Sequence, residues 1–229
     1  MNKIVNFFKE LCASFTGLII YFVVNILFSY ILNNYNITTN LLTITLIVME
    51  VSLLLILILV FRKRIKKDFI DFDNNYKKYL SIGLSSWAIG IIIMAISNGL
   101  INMFVTNSIA YNQQVNQAII SKMPLYSIVA IIITGPFIEE IVFRLSFKTH
   151  LKNKYLYYFL TIFIFAGAHV FNGISSYSEL LYFIPYGALA FSFTYTLDKT
   201  DNIFTTVILH TMHNTIAVIL IALMTFLGA

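Results

Sequence analysis

Two adjacent carboxylates, an arginine, three histidines and an asparagine stand in stretches of this chain that are otherwise apolar. Glu139 and Glu140 precede Arg144, His169 closes Phe165-Ala166-Gly167-Ala168-His169, and His210-Thr211-Met212-His213-Asn214 follows near the end. An ionisable side chain is costly inside hydrocarbon and by default marks a functional site with a partner. Glu140 and Arg144 lie at i and i+4 in the favourable order for an ion pair along one helix face. Glu139 points ~100° away around the helix and has no such local partner. Glu140 is therefore expected to stay charged beside Arg144 while Glu139 is free to take and release a proton. Gly135-Pro136 is expected to interrupt the helix just before the two acids, with Pro136 in the first turn of a new segment whose dipole favours ionised carboxylates.

The histidines fall into two sets. His169 follows three small residues that permit close helix packing, with Phe165 one turn back on the same face. His210 and Asn214, at i and i+4, share one stripe of a helix, with His213 close by. An imidazole and a carboxamide so placed can both donate to one developing negative oxygen, as an oxyanion hole requires. The same residue types allow other chemistry. They can serve as polar links between packed helices or, together with Glu50, as a proton relay in a transporter. His169, His210, His213 and a carboxylate can also ligate zinc.

What must position these residues is a bundle in lipid. The chain has 229 residues, 59% hydrophobic and 11% charged, against roughly 45–50% and ~25% in soluble domains. Stretches of ~20 mostly apolar residues suit bilayer-crossing helices, and seven are present, at 11–32, 41–61, 80–105, 124–147, 155–171, 180–197 and 203–226. The fold expected is an all-α polytopic membrane bundle of about seven helices. It forms a single integral membrane domain over 1–229, with scaffold helices in 1–123 and the reactive core in 124–229. The charged joint 62–79 is expected to be a solvated loop, partly helical.

With seven spans, fourteen of the fifteen Lys and Arg residues fall on one side and only Lys122 on the other. The positive-inside rule then places the N-terminus in the cytoplasm. An even count would need an extra helix in 106–122. Lys3 and Lys9 precede an apolar run that continues to Leu32 without a small-residue cleavage site, so it is read as a first transmembrane helix. The basic residues flank apolar spans, so the net charge of +5 points to anionic lipid rather than nucleic acid. Cys12 is the only cysteine, which leaves no disulfide framework and no zinc-finger spacing. No internal repeat of the kind that builds many transporters is present. The abundance of Ile, Asn, Lys, Tyr and Phe suggests an AT-rich bacterial genome and a bacterial plasma membrane.

Counting inward from the cytoplasmic ends of the spans at 1.5 Å per residue puts Glu139 ~14 Å deep, His169 ~21 Å, His210 ~10 Å and Asn214 ~16 Å. Side chains can bridge that spread, so all four are expected around one cavity. Asn98, Asn102, Tyr182, Tyr186 and His150 are expected to pack or line cavities, residues 148–154 to meet lipid head groups, and Pro185 to kink the sixth helix.

The three elements Glu139-Glu140 to Arg144, Phe165 to His169 and His210 to Asn214 resemble, in order, the signature Glu-Glu-x-x-x-Arg, Phe-x-x-x-His and His-x-x-x-Asn. That signature is characteristic of the CPBP (Abi, or CAAX prenyl protease type 2) family of intramembrane endopeptidases. The resemblance implies that Glu139 and His169 activate a water, that His210 and Asn214 stabilise the oxyanion, and that Glu140, Arg144 and Phe165 support the site. It implies hydrolysis of a membrane-associated peptide or protein without a covalent acyl-enzyme or a metal cofactor, with zinc as the alternative. A non-enzymatic role in bacteriocin self-immunity or peptide binding is the competing function. Glu50 and His213 remain without a role.

Overall fold

The computed structural model of the chain describes residues 2–34, 38–105, 109–174 and 176–227. Among these there is no strand, and the protein is an all-α, polytopic membrane bundle. Its first helices are α1 (Asn2–Ser14), α2 (Thr16–Asn34), α3 (Thr39–Phe104) and α4 (Tyr111–Lys122). Then come the short α5 (Pro124–Ser127), α6 (Gly135–Glu140) and α7 (Ser146–His150), linked by two π-helical segments, Ile128–Thr134 and Ile141–Leu145. The last three are α8 (Lys154–Val170), α9 (Phe183–Thr200) and α10 (Ile203–Leu227).

Five helical stretches among the described residues are long and apolar enough to cross a bilayer: Lys3–Asn34, Leu41–Phe104, Lys154–Gly173, Tyr177–Thr200 and Ile203–Met224. The expected spans 41–61 and 80–105 both lie on α3, and the span 124–147 is assembled from α5 to α7 with their π segments. The extra helix considered in 106–122 exists as α4, although residues 106–108 lie outside the described ones. Its 12 residues reach only ~18 Å, too short for a crossing. Ile, Leu, Val and Phe side chains such as Ile26, Leu59, Ile92 and Phe159 are exposed on the outside of the bundle, as they are where lipid is the solvent.

The joint 62–79, expected as a loop with some helix, is helical throughout, and Arg62, Lys63, Lys66, Lys67, Lys77 and Lys78 on it are exposed. Arg64 donates to the Asp201 carbonyl and carboxylate at 2.7 and 2.6 Å, and the Asp68 carboxylate accepts the Ile203 N–H at 3.1 Å. Asn202 donates to the Asp68 carbonyl and to Asp71 at 2.7 and 3.0 Å. Three charged residues of the joint, Arg64, Asp68 and Asp71, thus hold the tight turn between α9 and α10, where Asp201 takes a left-handed conformation at φ 48°. Further along α3, Ser86 bonds Ser192, and Tyr182 donates to Asn102. From residue 64 to residue 102 a straight helix would run ~57 Å, yet their partners at 201 and 182 are only ~28 Å apart by the same measure. The helix must therefore bend strongly in the charged stretch, returning alongside α9.

The core beneath the site is built from Leu53 and Leu57 of α3, Ile141 and Leu145 of the second π segment, Phe165 of α8 and Leu197 of α9. Where α1 ends and α2 begins, the Ser146 hydroxyl donates to the Ser14 carbonyl at 2.8 Å and accepts the Gly17 N–H at 3.1 Å, all buried. One side chain thus satisfies both loose ends of a helix break against α7. Ser146→Ala leaves two buried backbone groups unpaired, and thermal unfolding should register a loss of about 1–3 kcal/mol.

One local expectation also changes. Pro185 sits in the first turn of α9, where its missing N–H costs little, so it starts the helix and does not kink it. Of the basic residues in 148–154 expected at lipid head groups, Lys148 and Lys154 both pair with Asp198 at 2.7 Å, and Lys152 pairs with Glu10 at 2.6 Å.

Candidate active site

The segment carrying the two acids is not broken at Gly135-Pro136 as the sequence suggests. Thr134 and Gly135 keep right-handed helical dihedrals, and the Gly135 N–H reaches back five residues to the Ala130 carbonyl. A wide π turn takes up the proline, so no free helix N-terminus faces the carboxylates and the expected dipole effect does not arise. A Cβ on Gly135 would lie 2.1 Å from the Ala130 oxygen, so only glycine fits this turn. Gly135→Ala is expected to force the turn out of register, lowering the melting temperature and displacing Glu139. π turns of this kind recur at functional sites.

Glu140 and Arg144 form the ion pair foreseen from their spacing, at 2.6 Å and fully buried. The Arg144 guanidinium lies over the Phe165 ring at 4.3 Å and near the Phe193 ring at 5.3 Å. The Glu140 oxygen that takes the Arg144 bond also accepts from His210 Nδ1 at 2.8 Å. Because an arginine-paired carboxylate is ionised, this contact requires a proton on His210 Nδ1, and it turns Nε2 toward the cavity. His169 is fixed in the same way. Its Nδ1 lies 2.8 Å from the Phe165 carbonyl, which can only accept, so Nδ1 carries the proton and Nε2 is the free nitrogen of the neutral ring.

Both free nitrogens converge on one oxygen of Glu139. His169 Nε2 is 3.8 Å and His210 Nε2 3.6 Å from Glu139 Oε2. Those gaps are too long for direct hydrogen bonds, and a water about 2.8 Å from each group could donate to both Glu139 and His169. The Glu139 side chain keeps 27% of its exposure, against 16% for His169 and 4% for His210, while Oε2 itself is buried and makes no hydrogen bond. The Tyr186 ring lies tilted against His169 with ring centroids 5.0 Å apart, and its hydroxyl accepts from Asn112 of α4 at 3.4 Å. Phe193 stacks on His210 at 5.1 Å. Nothing in the local sequence marks Phe193, an aromatic among apolar neighbours, as a packing partner of the site.

Asn214 is not bonded to the imidazoles. Its Nδ2 donates to the Ile131 backbone carbonyl at 2.9 Å, which ties α10 to the π segment before the acids. His213, one turn from His210, is half-buried. Glu50 reaches the same region from α3, accepting from Tyr126 at 3.4 Å and Thr134 at 3.5 Å. It is an interhelical tie onto the segment that carries Glu139. Among the described residues, no three His, Cys, Asp or Glu side chains are arranged to hold a metal ion.

Residues 121–216 match the family described as type II CAAX prenyl endopeptidase Rce1-like. Over this segment the chain is similar to the Rce1-like family. The match contains Glu139, Glu140, Arg144, Phe165, His169, His210 and Asn214, and it leaves Glu50 outside. Over 149 residues the chain is 34% identical to the protein named "Putative membrane peptidase YdiL" of Bacillus subtilis (strain 168), covering 61% of this chain and 58% of that one. The chain thus spans little more than half the length of this relative. No solved structure matches it significantly. The Rce1-like segment runs from α4 into α10, the elements that surround the Glu139 cavity.

Proposed function

We propose that the protein is an intramembrane endopeptidase of the glutamic type, hydrolysing a peptide bond of a membrane-associated peptide or protein in a bacterial plasma membrane. The observation that carries this reading is the convergence of His169 Nε2 and His210 Nε2 on Glu139 Oε2 at 3.8 and 3.6 Å. The match of residues 121–216 to the type II CAAX prenyl endopeptidase Rce1-like family supports it.

A water held between Glu139 and His169 loses a proton to the Glu139 carboxylate as it attacks the scissile carbonyl, while the His169 lone pair orients it. The carbonyl oxygen becomes an anion, and the donors for it come from α10. His210 can donate from Nε2 only as an imidazolium, since its Nδ1 proton is committed to Glu140. Asn214 supplies a second N–H. Glu139 then returns its proton to the leaving amine as the tetrahedral intermediate collapses, so that atoms and charge balance. Neither a covalent acyl-enzyme nor a bound metal is needed.

The zinc alternative has its own test. The purified protein in proteoliposomes is offered a set of membrane-anchored peptides, a prenylated CAAX peptide among them, before and after thorough chelation. Cleavage that survives chelation supports the glutamic mechanism. Loss on chelation with recovery on adding zinc would overturn it, and failure to cleave any peptide would count against the peptidase itself. The non-enzymatic alternative, self-immunity by binding a peptide, predicts full protection by Glu139→Gln in an immunity assay, whereas the peptidase predicts none.

A further inference from the structure

We propose that Pro136 serves the site by leaving the Ile131 carbonyl without a donor in its own helix, so that this carbonyl anchors and aims the Asn214 carboxamide. The two backbone groups placed to serve Ile131 are those of Gly135 and Pro136. The Gly135 N–H goes to Ala130, and proline has no N–H. In the five-residue register set by Gly135 and Ala130, position 136 is the one whose N–H would reach Ile131. The vacancy in the backbone ladder is filled from another helix, by Asn214 Nδ2 at 2.9 Å.

This inference rests on the reading of Asn214 as an oxyanion donor. A carboxamide nitrogen has two hydrogens. The bond to Ile131 uses one, fixes the plane of the amide and leaves the second pointing in a set direction. An unanchored asparagine would have to be ordered at each turnover, whereas an anchored one is preorganised, which is where such donors gain their effect. Pro136 lies four residues before Glu140, in the short helix α6 that directly follows the π turn and carries both acids, so a single irregularity of the backbone positions both the base and the amide. Pro136 and Ile131 are positioning residues and touch no reactant.

The test is a double-mutant cycle in the proteoliposomes described above, on the peptide that the wild-type protein cleaves. Asn214→Ala is expected to lower kcat about 10²–10³-fold. Pro136→Ala restores a backbone N–H to Ile131, releases Asn214 and should lower kcat by up to about a hundredfold with KM unchanged. The double variant should be no worse than Asn214→Ala alone, because the proline acts through the asparagine. Wild-type kcat in Pro136→Ala, or a loss that adds in full to that of Asn214→Ala, would overturn the inference and leave the oxyanion reading standing. Wild-type kcat in Asn214→Ala would instead remove the oxyanion reading itself.

A second measurement needs no substrate. In nitrogen-15 spectra of the protein in nanodiscs, the Asn214 side-chain amide, assigned by its disappearance in Asn214→Ala, should exchange slowly with solvent. It should exchange faster in Pro136→Ala. Equal exchange in the two proteins would show that the proline does not control the anchor.

Discussion

Replacing Glu139 with Gln is expected to lower kcat by about 10²–10⁴-fold, the usual contribution of a positioned general base, with no loss of thermal stability. Glutamine has nearly the shape of glutamate and can still hold a water, but it cannot take the proton. The fold should tolerate the change because Glu139 makes no close ion pair. Its nearest charged or chargeable neighbours are the imidazole nitrogens at 3.6 and 3.8 Å, and its side chain is 27% exposed. A residue that merely linked helices would behave in the opposite way, with the melting temperature falling and turnover surviving. Turnover and thermal unfolding measured on the same preparation separate the two roles.

The second large effect is structural. Arg144→Leu should destabilise the protein by about 3–5 kcal/mol, because it strands the buried Glu140 charge. Both side chains of the pair are fully buried, so water cannot compensate. Replacing both partners with apolar residues of similar volume removes the stranded charge and should recover most of the stability. It should not recover peptidase activity. His210 Nδ1 would lose the carboxylate that fixes its tautomer at 2.8 Å, and Nε2 would no longer be held toward Glu139. A doubly replaced protein that is stable but inactive supports a positioning role for the pair. One that is stable and active would show that the pair contributes packing alone.

Much of the site is legible in the sequence because helical spacing brings residues four apart together without knowledge of the fold. The Glu140–Arg144 pair follows from that rule, as does the tilted contact of Phe165 with His169, whose ring centroids lie 4.3 Å apart. The link from Glu140 to His210 does not, since it joins residues 70 apart and depends on how α10 packs against α6. The Asn214 anchor is harder still. It requires that Gly135 open a π turn and that Pro136 leave one carbonyl unserved, and a Gly-Pro pair in an apolar helix reads more simply as a break. The charged stretch 62–79 misleads for a related reason. Arg64, Asp68 and Asp71 look solvated in sequence because their partners, Asp201 to Ile203, lie more than 130 positions away. Local patterns report the period of a helix faithfully, while the destination of a buried charge is decided by tertiary packing.

The central claim is that Glu139 works on a water to cut a peptide bond in the membrane. It is tested most directly by comparing the membrane peptides of cells that carry the wild-type chain with those of cells that carry Glu139→Gln at the same level. The account predicts that one or more membrane-anchored peptides or proteins persist uncut in the variant and appear as two fragments, split at one defined bond, in the wild type. Identical peptide populations in the two strains, with both proteins folded and inserted, would contradict it.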